Sequence, residues 1–263
     1  MRLVSIASGS SGNCTYIGSD HTHILVDAGV SCKRIKEGVE ALDVKPQELS
    51  GIFITHEHSD HIQGLRVFCK KFHVPIYSTA GTLEEIRKMG IVEDDSLLCP
   101  IEADRHIQLG DLNLTAFHNT HDAADPVGYR IEDGVHKCAV ATDLGNYSEY
   151  TVRNLQNLDA ILMEANHDLN MLEMGPYPYQ LKRRIMSDYG HLSNERCGQL
   201  LNDILHDGLK HILLGHLSKE NNYPELALLS VKNEVDLAPN DYHAADFDIC
   251  VAERSCMTKT IEL

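Results

Sequence analysis

The stretch ITHEHSDH, residues 54–61, places three histidines, one glutamate and one aspartate within six positions, directly after the apolar run Gly51, Ile52, Phe53, Ile54. A short apolar run of this kind reads as a buried strand, and ligand-type side chains at its mouth read as a site built on the strand's end. In a tight turn leaving a strand, His56 and His58 point the same way. Asp60 and His61, in the first turn of a following helix, face a second position nearby. Such pairing suits two metal ions about 3.5 to 4 Å apart, each needing further ligands from elsewhere in the chain. A buried cluster of this composition is costly without a cation. Glu57, in the same motif, is expected to be solvated.

Partners for these ligands stand at the ends of other predicted strands. The first half of the chain reads as strands at 2–7, 14–17, 23–26, 51–54 and 75–78, interrupted by helical patterns at about 31–42, 59–72 and 80–89. A second batch follows, with strands at 106–109, 112–118, 127–132, 137–141, 160–163, 211–214 and 248–251 and helices around 179–188, 194–206 and 223–235. Asp27 closes one strand; His118, His121 and Asp122 follow another, Asp143 a third, Glu164, His167 and Asp168 a fourth, and His216 a fifth. Two batches of strands, each with helices, predict two packed sheets covered outside by helices. The candidate ligands then share one edge.

Composition bounds the rest. At 263 residues the chain is long enough to bury a sizeable core, and one domain spanning residues 1–263 is expected. It is 43% hydrophobic and 24% charged, with no apolar run of membrane-spanning length. The start of the chain reads as a strand and lacks the regions of a signal peptide, so a cytoplasmic location is expected. Eight cysteines without a Cys-x-x-Cys pair read as reduced, mostly buried thiols. A net charge of −16 argues against a generally basic nucleic-acid binder, while leaving a local groove open.

THEHSDH, with Asp27 upstream in VDAG and Asp143 downstream in ATDLG, resembles the metallo-β-lactamase fold of binuclear metal hydrolases. The resemblance implies an α/β fold, an αββα four-layer sandwich with the metals at one edge. It implies that His56, His58 and His121 hold the first metal, that Asp60, His61 and His216 hold the second, and that Asp143 bridges both. Asp27 is implied to fix the ligand loop by hydrogen bonds. His121 is preferred to His118 because it shortly precedes the next strand and because Asp122 is placed to orient a neighbour; His118 remains the alternative.

The same fold hosts β-lactam, thioester, lactone and phosphodiester hydrolysis, so the substrate is read from other stretches. The segment from Tyr189 to Asn222 resembles the tail of the tRNA 3′-processing and nuclease branch, which assigns His191 to catalysis and His216 to metal. The turn SIASGSSGNCTYI offers Ser8, Ser10, Ser11 and Asn13 as neutral donors suited to phosphate oxygens, beside Gly9 and Gly12; an ordinary hairpin loop has the same composition. Lys182, Arg183 and Arg184, just ahead of His191, and Lys33, Arg34 and Lys36 are the best phosphate-backbone contacts, although a charge run is usually a solvated helix face. His167 and Asp168 are assigned to substrate contact, against a capping role.

The motifs ASGSSGNC, FITHEHSDHIQGL, HDAADPVGY, MEANHD, YPYQLKRRIMSDYGHLSNE and LGHLSKENN together look like the YycJ (WalJ) group of this superfamily, over residues 1–222. That likeness implies a bacterial 5′ to 3′ exonuclease on DNA, with a hydroxide activated by two divalent ions, manganese or zinc with iron also compatible, Asp60 orienting the nucleophile and His191 as donor to the scissile phosphate. The expected partner is nucleic acid, with no membrane and no organic cofactor. Rival readings are an RNA-processing endonuclease or cyclic phosphodiesterase, then a lactonase or thioesterase, and, from another class, a metal-stabilised binding partner without catalysis.

Overall fold

The alternation of side chains between the two faces of each strand shows which layers the chain builds. The computed structural model describes residues 1–263. Strands β1 (Arg2–Ala7), β2 (Cys14–Gly18), β3 (His23–Val26), β4 (Leu49–Phe53), β5 (Ile76–Thr79) and β6 (Leu98–Ile101) lie in one sheet in that order. Strands β7 (His106–Leu109), β8 (Leu112–His118), β9 (Val127–Glu132), β10 (Lys137–Ala141), β11 (Ala160–Glu164), β12 (His211–Gly215) and β13 (Asp248–Val251) form the second, again in chain order. The short β14 (Ile261–Glu262) returns to the first sheet beside β1.

Successive residues on a strand face opposite sides of its sheet. Phe53 therefore packs between the sheets with Leu3, Ile24 and Val26, while Ile52 and Leu25 pack outward. Their outer partners are helices α1 (Cys32–Glu40), α3 (Leu65–Phe72) and α4 (Ala80–Lys88), with the single turn α2 (Ser59–Ile62) between β4 and α3. In the second sheet Cys138, Val140, Ala160, Leu162 and Leu213 face inward, and Ala139, Ile161, Met163 and Ile212 face outward. Helices α5 (Glu149–Leu155), α8 (Asn194–Ile204) and α9 (Pro224–Leu237) cover them, and the short α6 (Leu169–Met174) and α7 (Tyr179–Ile185) lie in the connection from β11. Three apolar layers between four layers of secondary structure are the αββα sandwich expected from the resemblance.

Strands β3 to β6 run parallel to one another, as do β10 to β13. Such strands are buried on both faces, and the crevice outside their carboxyl ends is where open α/β sheets bind ligands. The two sheets are tied at that edge: the Tyr129 hydroxyl donates to Ile54 O at 2.8 Å and Val127 N to Thr55 O at 3.0 Å.

The helix predicted over 59–72 is broken at Gly64. There a Cβ would lie 2.2 Å from Val30 O, and the Gly64 amide donates to Ala28 O at 2.8 Å, so the backbone passes too close to the β3 exit for a continuous helix. The β4 strand starts two residues earlier than predicted, at Leu49. Four elements, β6, β14, α5 and α6, go beyond the sequence expectation. Pro100 hides β6, because proline is confined to edge or irregular strand positions. No helix is long and apolar enough to cross a membrane, and all eight cysteines are free.

Phe53 is completely buried, stacked on Tyr77 at 4.8 Å and edge-on to Tyr129 at 5.5 Å. Phe53→Ala is expected to cost about 3–5 kcal/mol, read as a lowered urea midpoint at unchanged slope.

Candidate metal centre

Three of the strand-end residues leave their strands in the left-handed region: Asp27 after β3 (φ 63°), Asp143 after β10 (φ 59°) and His216 after β12 (φ 54°). Aspartate and histidine are among the few residues that tolerate it, and the sharp exit points each side chain back over the edge. Asp27 is buried, and its carboxylate accepts from Thr55 N at 2.9 Å and from His61 Nδ1 at 2.7 Å. The His216 amide donates to Ser8 Oγ at 2.8 Å.

Each of four imidazoles has Nδ1 engaged by the protein. His56 Nδ1 meets Thr55 Oγ1 at 3.0 Å, His61 Nδ1 meets Asp27, His121 Nδ1 donates to Gly190 O at 3.0 Å, and His216 Nδ1 lies 2.9 Å from Glu164 Oε1. An imidazole held at one nitrogen turns the other to the centre, where it is a lone pair once the ring is neutral. The free Nε2 atoms of His56 and His121 converge on His58 Nδ1 at 3.0 and 3.3 Å. On the other side Asp60 Oδ2 lies 3.5 Å from His61 Nε2 and 3.3 Å from His216 Nε2. Asp143 stands between the groups, with Oδ2 3.3 Å from His61 Nε2 and Oδ1 3.7 Å from His121 Nε2 and 3.6 Å from His216 Nε2. Its Oδ2 is buried without a hydrogen-bond partner. Within each group the ligand atoms lie within 4.8 Å of one another. Converging lone pairs and an orphaned carboxylate oxygen fit divalent cations.

Electrostatics divides the two groups. Burial, reinforced by the neighbouring histidines, holds His56 well below its ordinary pKa, and burial outweighs Asp143 to lower His121. Burial opposes the charge on His61 and His216 as well, but Asp27, Asp143 and Asp60 lift His61 well above its ordinary value. Asp143, Asp60 and Glu164 lift His216 to about 10.

Sequence alone marks Glu164 as a strand-end residue and no more. It is completely buried at the end of β11 and accepts from His191 Nδ1 at 2.8 Å, from His216 Nδ1, and from the amides of Leu144 and Leu192. Burial alone would raise its pKa, yet His191 and His216 hold it well below the carboxylate range. The signal is present in AILMEANHD: a carboxylate ending a wholly apolar strand is buried, and a buried charge needs partners. Glu57 corrects the expectation of a solvated side chain. It is 9% exposed, and its Oε1 accepts from Ala124 N at 2.8 Å, tying the first ligand loop to the loop that carries His121.

The structure brings His121, not His118, into the cluster: His118 is exposed and pairs with Asp125. His191 stacks on His216 with its Nε2 free of protein partners. Ser8 is buried on the His216 amide, and Asn13 accepts from Gly9 N at 2.9 Å while its amide nitrogen lies 3.1 Å from His61 Nε2, so both serve the chain itself. Ser10 and Ser11 are exposed beside them. His167 is buried, lowered to about 4 by that burial, and Asp168 caps α6 through Met171 N. Asp122 pairs with Arg184 and lies 3.5 Å from His121 Nε2; Lys182 donates to Glu173 O.

Residues 22–215 match the model of the beta-lactamase superfamily domain. The chain is 38% identical to exodeoxyribonuclease YycJ of Bacillus anthracis, over 88% of both chains, and 40% identical to exodeoxyribonuclease WalJ of Streptococcus pneumoniae, over 88% of this chain and 86% of that one. Among solved structures, Zn2+-bound PqqB from Methylobacterium extorquens superposes with a TM-score of 0.72 at 16% identity over the whole of both chains, a likeness of fold. With its sandwich and its edge of histidines and aspartates, the chain belongs to the beta-lactamase superfamily.

Proposed function

We propose that this protein is a metal-dependent phosphodiesterase of nucleic acid, a 5′ to 3′ exonuclease on DNA. The observation that carries the reading is the convergence of imidazole nitrogens and the orphaned Asp143 Oδ2 on two adjacent positions; the relatives named exodeoxyribonucleases direct it to DNA. His56, His58 and His121 would hold one cation, Asp60, His61 and His216 a second, with Asp143 shared. Nitrogen and carboxylate donors suit manganese, zinc or iron(II). Such cations supply an ionised water as nucleophile and positive charge for the phosphoryl oxygens.

The chain's own groups do the rest. Thr55, Asp27, Glu164 and the Gly190 carbonyl set which nitrogen of each ring faces inward. His191, tethered by Glu164, presents Nε2 to the scissile phosphate or the leaving oxygen. Asp60 would accept a hydrogen bond from the nucleophile and so orient it. The reading treats residues 1–263 as one catalytic unit, because both sheets contribute to the centre. It places the enzyme in the cytoplasm, where eight free thiols stay reduced.

Metal-stripped protein resupplied with manganese or zinc is expected to shorten end-labelled DNA stepwise from the 5′ end, and His58→Ala to lose this activity while keeping its circular dichroism. Inert DNA with cleavage of a lactone or a cyclic phosphate would move the substrate to another class.

Glu164→Gln removes the charge that pins two histidines; an affinity loss of about 10- to 100-fold for one cation is expected by calorimetry, with the other site nearly unchanged. Equal loss at both sites would refute this division of roles.

Proton linkage gives a further expectation. His216 is raised from 6.5 to about 10 in the metal-free fold, so its contribution to stability is complete below pH 6.5 and is lost as pH rises toward 10. Chelated protein should lose melting temperature across that window, and one cation should release protons on binding. His56 and His121, both lowered and so neutral before a cation binds, should release none. Buffer-independent binding enthalpies at both sites would contradict it.

A further inference from the structure

Between Gly175 and Gly190 the chain carries three of its ten tyrosines and three consecutive cations against one acidic residue, Asp188, in a protein whose net charge is −16. Two of those cations are engaged, Lys182 on Glu173 O and Arg184 on Asp122. Arg183 is exposed, forms no ion pair, and holds its guanidinium 6.0 Å over the ring of Tyr179, one helical turn earlier. Tyr179 is 73% exposed and Tyr189 is 62% exposed.

This segment is bolted to the metal centre. Gly190 O accepts from His121 Nδ1, Arg184 pairs with Asp122, and His191 is held by Glu164. Large aromatic faces left in solvent, one of them beneath a guanidinium without an ion pair, on a backbone fixed to a hydrolytic centre, are the elements with which proteins bind single strands: every base has a face to stack, and the cation follows the phosphates.

We propose that the outer face of residues 174–189 is a stacking platform for the unpaired bases of a single-stranded nucleic acid, with Tyr179 and Tyr189 on base faces and Arg183 on a phosphate. The inference rests on the nuclease reading and concerns that reading's substrate: its bases are unpaired where the strand passes this face.

The test is fluorescence anisotropy with a hydrolysis-resistant, labelled single-stranded oligonucleotide and the metal-loaded protein. Tyr179→Ala with Tyr189→Ala is expected to weaken binding by about 5- to 100-fold for each base left unstacked. Cleavage of an abasic oligonucleotide, which has no base to stack, stays unchanged, and Phe at both positions restores binding. Wild type should lose the same factor on an abasic oligonucleotide, and the double variant should lose nothing further. Unchanged affinity in the double variant overturns the proposal. So does a variant that loses self-association by sedimentation while binding DNA normally, which would make the face an interface between copies. Wild type that binds the strand but never cleaves DNA would refute the nuclease reading and leave the platform standing; DNA cleaved equally well by both proteins would do the reverse.

Discussion

Two buried carboxylates, Asp27 on the first sheet and Glu164 on the second, govern the rest of the site. Each takes the Nδ1 of a histidine whose Nε2 faces the centre, His61 in one case and His216 in the other. A carboxylate in a nearly dry interior is tolerable only with several donors, and both have them: Thr55 N and Oγ1 on Asp27, the amides of Leu144 and Leu192 on Glu164. The arrangement works in both directions, since the rings neutralise the carboxylates and the carboxylates set the tautomers.

Because the ligands are divided between two sheets, the sheets must hold a fixed relation. The inner core around Phe53, Tyr129 and Leu162 supplies stiffness, and the bonds Tyr129 to Ile54 and Val127 to Thr55 pin the sheets next to the ligand loop. Left-handed backbone at Asp27, Asp143 and His216 stores of order 1–3 kcal/mol each. The strain persists because neighbours over-determine the backbone: Asp27 N donates to Phe53 O at 2.9 Å and Ala28 N to His61 O at 2.8 Å, Leu144 N after Asp143 donates to Glu164 Oε2 at 2.8 Å, and Ser8 holds the His216 amide. At Gly29 a Cβ would lie 1.7 Å from Asp60 O, so no other residue fits there.

The fold is legible in the sequence where apolar runs are long and bounded by turns, and the cluster is legible where ligands crowd one short motif. His56, His58, Asp60 and His61 belong to one loop, so local sequence already places them together. Glu164 and Thr55 act through bonds that depend on three-dimensional proximity, and nothing in their own neighbourhood announces it beyond the apolar strand ending in a charge. Glu57 misleads because an acidic residue between two histidines looks solvated; its partner, the Ala124 amide, is far away in the chain. Ser8 and Asn13 read as phosphate donors by composition, and a hairpin that braces a neighbouring loop has the same composition. The position just ahead of the next strand favours His121 over His118, and the structure gives the reason: His118, the last residue of β8, is turned to solvent.

The proposed substrate raises an electrostatic difficulty that the site itself answers. A chain of net charge −16 repels a polyanion at long range, and Asp122 further cancels Arg184 at the rim. Even with His61 and His216 protonated, the ionised carboxylates of Asp60, Asp143 and Glu164 outnumber them and make the metal-free centre a poor place for a phosphate. The two divalent cations proposed for Asp60 and Asp143 would reverse the local sign, and would do so inside a low-dielectric edge where charge is weakly screened. In this reading the cations are needed to admit the strand as well as to cleave it. Cations distributed over the surface would attract nucleic acid everywhere; an acidic surface with one positive centre confines binding to the place where hydrolysis occurs.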